Sequence, residues 1–272
     1  MPWPARKDAA PRPVRRPVVP MGGGPPPGGG GLFAPPFPPW GIWEALLVLA
    51  LFTVSQVAAA LAIGALASTL VPAADHQAPL LVRFAVPSGL VVSHTVGWLA
   101  ASWLVTRRHG LSFADGLRLR AVGARLLVRA LLAGMGFQIL VMAVEVQVPP
   151  PPDFSSPIEM FLEAGAWALA LLFVVAIVMA PLLEEVLFRG LLFPALRRRF
   201  RFSTAAVAVS LLFTALHVTQ TGTYWPAIAG IALCGFLLAW WRERTGSLWP
   251  PVAFHAGFNL TAFLPLLLAQ PP

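Results

Sequence analysis

Long apolar runs recur along this chain of 272 residues. Several reach the roughly 20 consecutive apolar residues that an α-helix needs to cross the hydrocarbon core of a bilayer. The run from Gly165 includes "AWALALLFVVAIVMAPLL" and continues into "PLLEEVLFRG" at residues 181–190. Runs of this kind predict an all-α protein, a polytopic bundle of transmembrane helices.

Composition agrees with a membrane protein, because 57% of the residues are hydrophobic and only 11% are charged. A water-soluble domain carries roughly a quarter charged residues. The net charge of +8 does not indicate nucleic acid as a partner, since the arginines lie between apolar runs and do not alternate with aromatic residues. The composition therefore predicts membrane lipids as the surroundings and no nucleic-acid partner.

The apolar runs predict about seven spans, preceded by a Pro- and Gly-rich basic tail at residues 1–39. Such a tail cannot bury a core, so we expect it to be disordered and to lie against anionic lipid headgroups. The spans are predicted at residues 42–71, 79–105, 122–146, 164–196, 203–221, 225–241 and 248–269.

Basic residues predict the orientation of the spans. The tail, residues 107–125, "RRRFR" at 197–201 and "RER" at 242–244 all fall on one side of the alternation. Cytoplasmic loops carry an excess of Lys and Arg. The pattern predicts a cytoplasmic N-terminus in a cytoplasmic (inner) membrane, and the Ala-, Arg- and Pro-rich bias favours a bacterial source.

Two glutamates and an arginine stand deep in the fourth predicted span, where an unpaired charge is costly. Glu185 and Arg189 are four residues apart, so they share a helix face and can form an ion pair. Glu184 is rotated by about 100° from Glu185. The spacing predicts a structural pair beside a glutamate that is free for chemistry.

Two further polar patterns lie in later spans, Phe213-Thr-Ala-Leu-His217 and His255-Ala-Gly-Phe-Asn259. At about 1.5 Å per residue, Glu184, His217, His255 and Asn259 lie about 18, 21, 12 and 18 Å from the basic end of their spans. We therefore expect these side chains to meet in one cavity that opens to the cytoplasmic side.

Three interpretations fit such a buried cluster. It can join helices in a non-catalytic immunity or scaffold protein, relay protons or ions in a transporter, or catalyse hydrolysis. His94, in "VSHTVGW", has no partner pattern, and we expect it to form a hydrogen bond between helices.

With these motifs, the chain resembles the CAAX-processing and bacteriocin-processing (CPBP, or Abi) family of intramembrane proteases. The family pattern has two glutamates with an arginine four after the second, then FxxxH, then HxxxN or HxxxD. All three occur here in order, and "LFRG" and "TGSLWPPVAFHAGFN" also resemble the family. The resemblance covers roughly residues 160–265. It divides the chain into N-terminal helices at 40–157 and a catalytic core of about four helices at 158–272.

The resemblance implies an endopeptidase in which Glu184 is the general base for water, aided by His217. His255 and Asn259 would complete a metal site or stabilise the oxyanion, and Phe213 would support the site. A divalent metal such as zinc, with His217, His255 and Glu184 as candidate ligands, is one form of this mechanism. Metal-free hydrolysis is the other and is slightly favoured. The implied substrate is a lipidated or membrane-associated protein or peptide.

Motifs of other protease types do not occur in the sequence. No HExxH motif occurs, none of the four aspartates lies deep in a span, and no serine stands in a GxSxG setting. The glutamate–histidine arrangement is therefore the best supported hydrolytic centre.

Overall fold

The computed structural model describes residues 37–70, 86–151 and 166–263, and within these ranges every regular element is a helix. The predicted all-α membrane fold is confirmed. Most of the predicted tail lies outside the described residues. The helices are α1 (Ile42–Leu70), α2 (Val86–Ser102, continued by the π-helical turn Trp103–Arg108), α3 (Phe113–Leu117), α4 (Ala124–Gln147), α5 (residues 166–197), α6 (Phe202–Thr221), α7 (Trp225–Thr245) and α8 (Trp249–Ala262).

Seven of these helices coincide with the seven predicted spans, and the short α3 was not predicted. Five stretches are long and apolar enough to cross a membrane: Ile42–Leu66, Ser88–Arg108, Ala124–Gln147, Leu169–Arg197 and Trp225–Thr245. The apolar part of α6, Phe202–Val218, is shorter. Helix α8 has 14 residues, fewer than a perpendicular crossing needs, and predicted span residues 264–269 lie outside the described part.

Proline and glycine set the ends of the last helices. Pro226 stands in the first turn of α7, and Pro250 and Pro251 stand in the first turn of α8. Proline is tolerated there because the first N–H groups of a helix have no partner within it. Gly246 caps the C-terminal end of α7, and its φ of 62° lies in the left-handed region that glycine adopts without a Cβ clash.

Large apolar side chains cover the outside of the bundle. Leu47, Leu61, Leu99, Leu140 and Leu211 are each more than half exposed. A water-soluble protein of this size rarely shows so much contiguous apolar surface, whereas lipid solvates it. The protein is a multi-pass membrane protein.

Helices from both predicted parts of the chain share one core. Buried side chains of α1, α2, α5 and α6 form a continuous cluster, and the Trp40 indole Nε1 donates a hydrogen bond to the Leu191 carbonyl at 3.0 Å. Helix α4 packs against α8 at two glycines. A Cβ on Gly134 would overlap the Phe254 carbonyl, and a Cβ on Gly257 would overlap the Leu131 carbonyl. The first four helices thus support α5 and α8.

The basic segments lie at one end of the bundle, as the alternation of loops predicted. Arg197 at the end of α5 forms an ion pair with Glu243 of α7 at 2.8 Å. The hydroxyl of Ser247, between α7 and α8, donates to the Arg120 carbonyl at 2.7 Å. These contacts join the C-terminal ends of α5 and α7 to the segment between α3 and α4.

Candidate active site

The glutamate pair lies between two π-helical turns of α5. The helix runs as Ala166–Val174, π-helical Val175–Met179, Ala180–Glu185, π-helical Val186–Leu192 and Phe193–Arg197. Wider turns of this kind inside α-helices are frequent at functional sites. Here they bracket the six residues that end in Glu184 and Glu185.

Three helices bring Glu184, His217 and His255 together. The Glu184 Oε2 atom lies 4.0 Å from His217 Nε2 and 3.8 Å from His255 Nε2. The Glu184 side chain is 15% exposed and that of His217 is 18% exposed. Both distances are longer than that of a direct hydrogen bond. A single water molecule can bridge the two atoms of each pair. The cluster is therefore buried but retains access.

The second nitrogen of each imidazole is held in place. His217 Nδ1 lies 2.7 Å from the Phe213 carbonyl oxygen, which can only accept, so Nδ1 carries the proton. His255 Nδ1 lies 3.1 Å from Glu185 Oε1. These partners fix the tautomer and the direction of each ring, so both Nε2 atoms point to Glu184.

Glu185 and Arg189 form an ion pair with an N–O distance of 2.9 Å, and both side chains are completely buried. Arg189 Nη2 also donates to the Gly235 carbonyl at 2.9 Å. Sequence reasoning treated Glu185 only as the partner of Arg189 and missed its contact with His255. The signal was absent from the sequence because the contact joins two helices 70 residues apart.

Phe213 packs at the centre of the cluster. Its ring centroid lies 4.5 Å from that of His217 and 5.8 Å from that of His255. The guanidinium carbon of Arg189 lies 4.7 Å from the same centroid, within the range of a cation–π contact. The Phe213 ring therefore separates the ion pair from His217. It packs against Arg189, His217 and His255.

The side chain of Asn259 caps the first π turn. The Ala180 N–H donates to the Val175 carbonyl, five residues back. In that register the Ala176 carbonyl would receive an N–H from position 181, which is a proline and has none. The Asn259 Nδ2 donates to this carbonyl at 2.7 Å. The structure directs the amide to α5, and an oxyanion role for Asn259 stays a prediction.

The second π turn repeats the arrangement with Arg242. The Phe193 N–H donates to the Phe188 carbonyl, five residues back, and the next position, Pro194, has no N–H to offer the Arg189 carbonyl. Arg242 Nε donates to that carbonyl at 3.1 Å. Arg242 was not predicted as a site residue, although a proline inside a long helix is a sequence signal for a freed carbonyl.

The residues proposed for a metal have suitable donor types. Two imidazole Nε2 atoms and a carboxylate suit zinc, and each ring has an oxygen partner on Nδ1, as metal-bound histidines do. The positions of these three side chains do not form a metal site, however. The described part of the chain has no group of three or more His, Cys, Asp or Glu side chains placed to hold a metal ion. A metal at this site stays a prediction.

Within the part of the chain that the structure describes, His94 does not form the predicted hydrogen bond between helices. Its Nδ1 lies 2.7 Å from the carbonyl of Leu90 in its own helix, and its ring packs edge-on against Phe52 of α1. Among the described residues, Nε2 has no hydrogen-bond partner. The prediction was wrong because a histidine in a helix can reach the carbonyl four residues back, as Thr95 and Thr106 also do.

The fold and the site define a multi-pass α-helical membrane protein with a buried glutamate–histidine centre. Residues 166–261, which span α5 to α8, match the family model described as "Type II CAAX prenyl endopeptidase Rce1-like". The chain therefore carries an Rce1-like segment, which confirms the resemblance predicted from the three motifs. Helices α1 to α4 lie outside the match.

A relative from Bacillus subtilis (strain 168), named "Putative membrane peptidase YdiL", is 27% identical over 104 residues. The alignment covers 38% of this chain and 40% of the relative's length. No solved structure matches the chain significantly. The family match and this relative support the general class of intramembrane proteases.

Proposed function

We propose that this protein is an intramembrane endopeptidase that hydrolyses a peptide bond with a water molecule activated by Glu184. The position of Glu184 Oε2 between His217 Nε2 and His255 Nε2, at 4.0 and 3.8 Å, carries the proposal. A carboxylate with two oriented imidazoles can position water and move its protons. In a purely structural cluster, both carboxylate oxygens of Glu184 would accept direct hydrogen bonds from the protein. Here Glu184 Oε2 has no hydrogen-bond partner among the described residues.

In the proposed reaction, the water donates one hydrogen bond to Glu184 and the other to the free Nε2 of His217. Its oxygen attacks the scissile carbonyl carbon as Glu184 takes the proton, forming a C–O bond and an oxyanion. His217 Nδ1 remains bonded to the Phe213 carbonyl, so Nε2 is available as the acceptor. This arrangement is general base catalysis by a preoriented pair.

His255 and Asn259 stabilise the oxyanion in the proposal. The carboxylate of Glu185 against His255 Nδ1 orients the ring and stabilises positive charge on it, as the acid of a catalytic triad does. The amide of Asn259 has a second N–H besides the one on Ala176. The proton on Glu184 then passes to the leaving nitrogen, the C–N bond breaks as the oxyanion collapses to a carbonyl, and a carboxylic acid and an amine leave.

The substrate in this proposal is a lipidated protein or peptide held in the membrane. The matched family is described as a prenyl endopeptidase, and a lipid anchor would bring the scissile bond to the depth of Glu184. The activity, substrate and partners of the whole relative are proposals for this chain, because the alignment covers 40% of that relative.

The test uses the full-length protein in detergent with a fluorogenic prenylated peptide. Glu184→Gln should lower kcat by about 1,000-fold, because it removes the base, and His217→Ala and His255→Ala should each lower it by about 100-fold. Glu145→Gln is the matched control, since Glu145 lies in α4 and contributes no contact to the cluster. Equal kcat for Glu184→Gln and Glu145→Gln would refute the proposal. Proton flux in liposomes without cleavage would instead support the relay.

We also propose that the arginine-rich end faces the cytoplasm, as the positive-inside rule requires. Single cysteines at Arg199→Cys and Thr223→Cys mark opposite ends of α6. The native Cys234 is buried and gives a low background. A membrane-impermeant maleimide added to intact cells should label Thr223→Cys and spare Arg199→Cys, and the reverse would invert the topology.

A further inference from the structure

A cavity of about 620 Å³ lies at the arginine-rich end of the bundle, apart from the glutamate–histidine cluster. Residues 37–39, the segment 109–120, and the ends of α5 and α7 enclose it. Four basic residues line it together with one acidic residue, Asp115, whose carboxylate accepts a hydrogen bond from the Ser112 hydroxyl at 2.5 Å. The basic residues are Arg118, Arg120, Arg242 and His109.

The backbone of Arg118 has an unfavourable conformation for its side chain. Its φ of 56° and ψ of 53° are left-handed, and its N–H caps α3 by bonding to the carbonyls of Ala114 and Asp115. Glycine is the favoured residue in such a cap. An arginine there costs stability that a glycine would not, and Arg118 is one of the residues that line the cavity.

Arg118 and Arg120 place like charges beside each other. Burial lowers the pKa of the Arg118 guanidinium, and the nearby charge of Arg120 lowers it further. Guanidinium groups bind phosphate through paired, charge-assisted hydrogen bonds.

The cavity also lies at the level of the membrane surface. Trp103 at the end of α2, Trp240 at the end of α7 and Trp249 at the start of α8 are exposed at this end of the bundle. Tryptophan is enriched where lipid headgroups meet the hydrocarbon. Basic pockets between membrane helices near this level bind anionic headgroups.

We propose that this cavity binds the phosphate group of an anionic ligand, with Arg118 and Arg120 as the binding residues. The phosphate can come from an anionic lipid headgroup or from free phosphate, and the experiment distinguishes the two. The proposal is independent of the peptidase activity, because neither arginine touches Glu184, His217 or His255.

The experiment is native mass spectrometry of the full-length protein from detergent micelles that contain equal amounts of phosphatidylglycerol and phosphatidylcholine. The wild type should retain one phosphatidylglycerol, with about 10-fold less phosphatidylcholine. Inorganic phosphate is then added at the concentration of the lipid. Retention of phosphatidylglycerol identifies the headgroup as the ligand, and its displacement identifies free phosphate at the same site.

Two variants and a matched control locate the site. Arg118→Gly removes the guanidinium and keeps the left-handed cap, so its unfolding temperature should not fall. Arg118→Gly and Arg120→Gln should each weaken retention by about 10-fold. Arg199→Gln removes the same charge from an exposed arginine outside the cavity and should leave retention unchanged. Equal retention in all three variants, or equal retention of both lipids by the wild type, would overturn the proposal.

Discussion

His255 of α8 and Glu185 of α5 are joined by a hydrogen bond of 3.1 Å from Nδ1 to Oε1, and the same oxygen accepts Arg189 Nη1 at 2.9 Å. Glu185 therefore neutralises a buried arginine and also orients an imidazole toward Glu184. The two adjacent glutamates have different surroundings, because Glu185 contacts Arg189 and His255 while Glu184 lies near the Nε2 atoms of His217 and His255.

This double contact predicts separate effects on stability and activity. Glu185→Gln leaves the buried Arg189 without a negative partner and should lower the free energy of unfolding by about 3 kcal/mol. Adding Arg189→Met removes the unpaired charge and should restore part of that loss. Peptidase activity should stay low in both variants, because neither has a carboxylate on His255 Nδ1.

Chemical unfolding in detergent measures the first effect and kcat the second. A double variant that recovers activity together with stability would show that Glu185 acts only through Arg189.

The crossing of α4 and α8 predicts a sharp difference between two nearby glycines. A Cβ on Gly134 would overlap the Phe254 backbone, whereas a Cβ on Gly136 meets nothing within 4 Å. Gly134→Ala should lower the free energy of unfolding by about 2 kcal/mol and reduce activity, because α8 carries His255. Gly136→Ala should be neutral or slightly stabilising. Thermal unfolding of the two variants compares them directly, and equal melting temperatures would contradict the packing.

The cap on the first π turn predicts a rescue. Asn259→Leu leaves the Ala176 carbonyl without its donor and should destabilise the protein by about 1–3 kcal/mol. Pro181→Ala restores a backbone N–H in the register that reaches Ala176, so it should recover stability in the Asn259→Leu background. The stability of the single variant Pro181→Ala serves as the reference. If the double variant is less stable than Asn259→Leu, the carbonyl is not the partner that matters.

Metal removal distinguishes the two forms of the mechanism. The metal-free form, with Glu184 as the base, predicts that kcat is unchanged after dialysis against a chelator. Loss of activity that zinc restores in the wild type, but not in His217→Ala, would establish a metal step. Magnesium at equal concentration serves as the control, because it prefers oxygen ligands.

The helices, and the relations between residues within each helix, follow from the amino-acid sequence. The lengths of the apolar runs placed α1, α2 and α4 to α8, since only a helix satisfies its own backbone in lipid. The four-residue spacing of Glu185 and Arg189 gave a shared helix face, because the helical repeat is a local property. The arginine clusters predicted which loops share one end of the bundle, because successive spans run in opposite directions.

How the helices face one another depends on their packing in three dimensions and could not be predicted. The hydrogen bond from His255 to Glu185, the amide of Asn259 on Ala176 and the close approach at Gly134 depend on the rotation and depth of one helix against the next. Periodicity leaves both free, and packing of side chains from distant parts of the chain sets them. The prolines at 181 and 194 show this division, because the sequence reveals that a carbonyl loses its donor and the fold supplies Asn259 and Arg242 in its place.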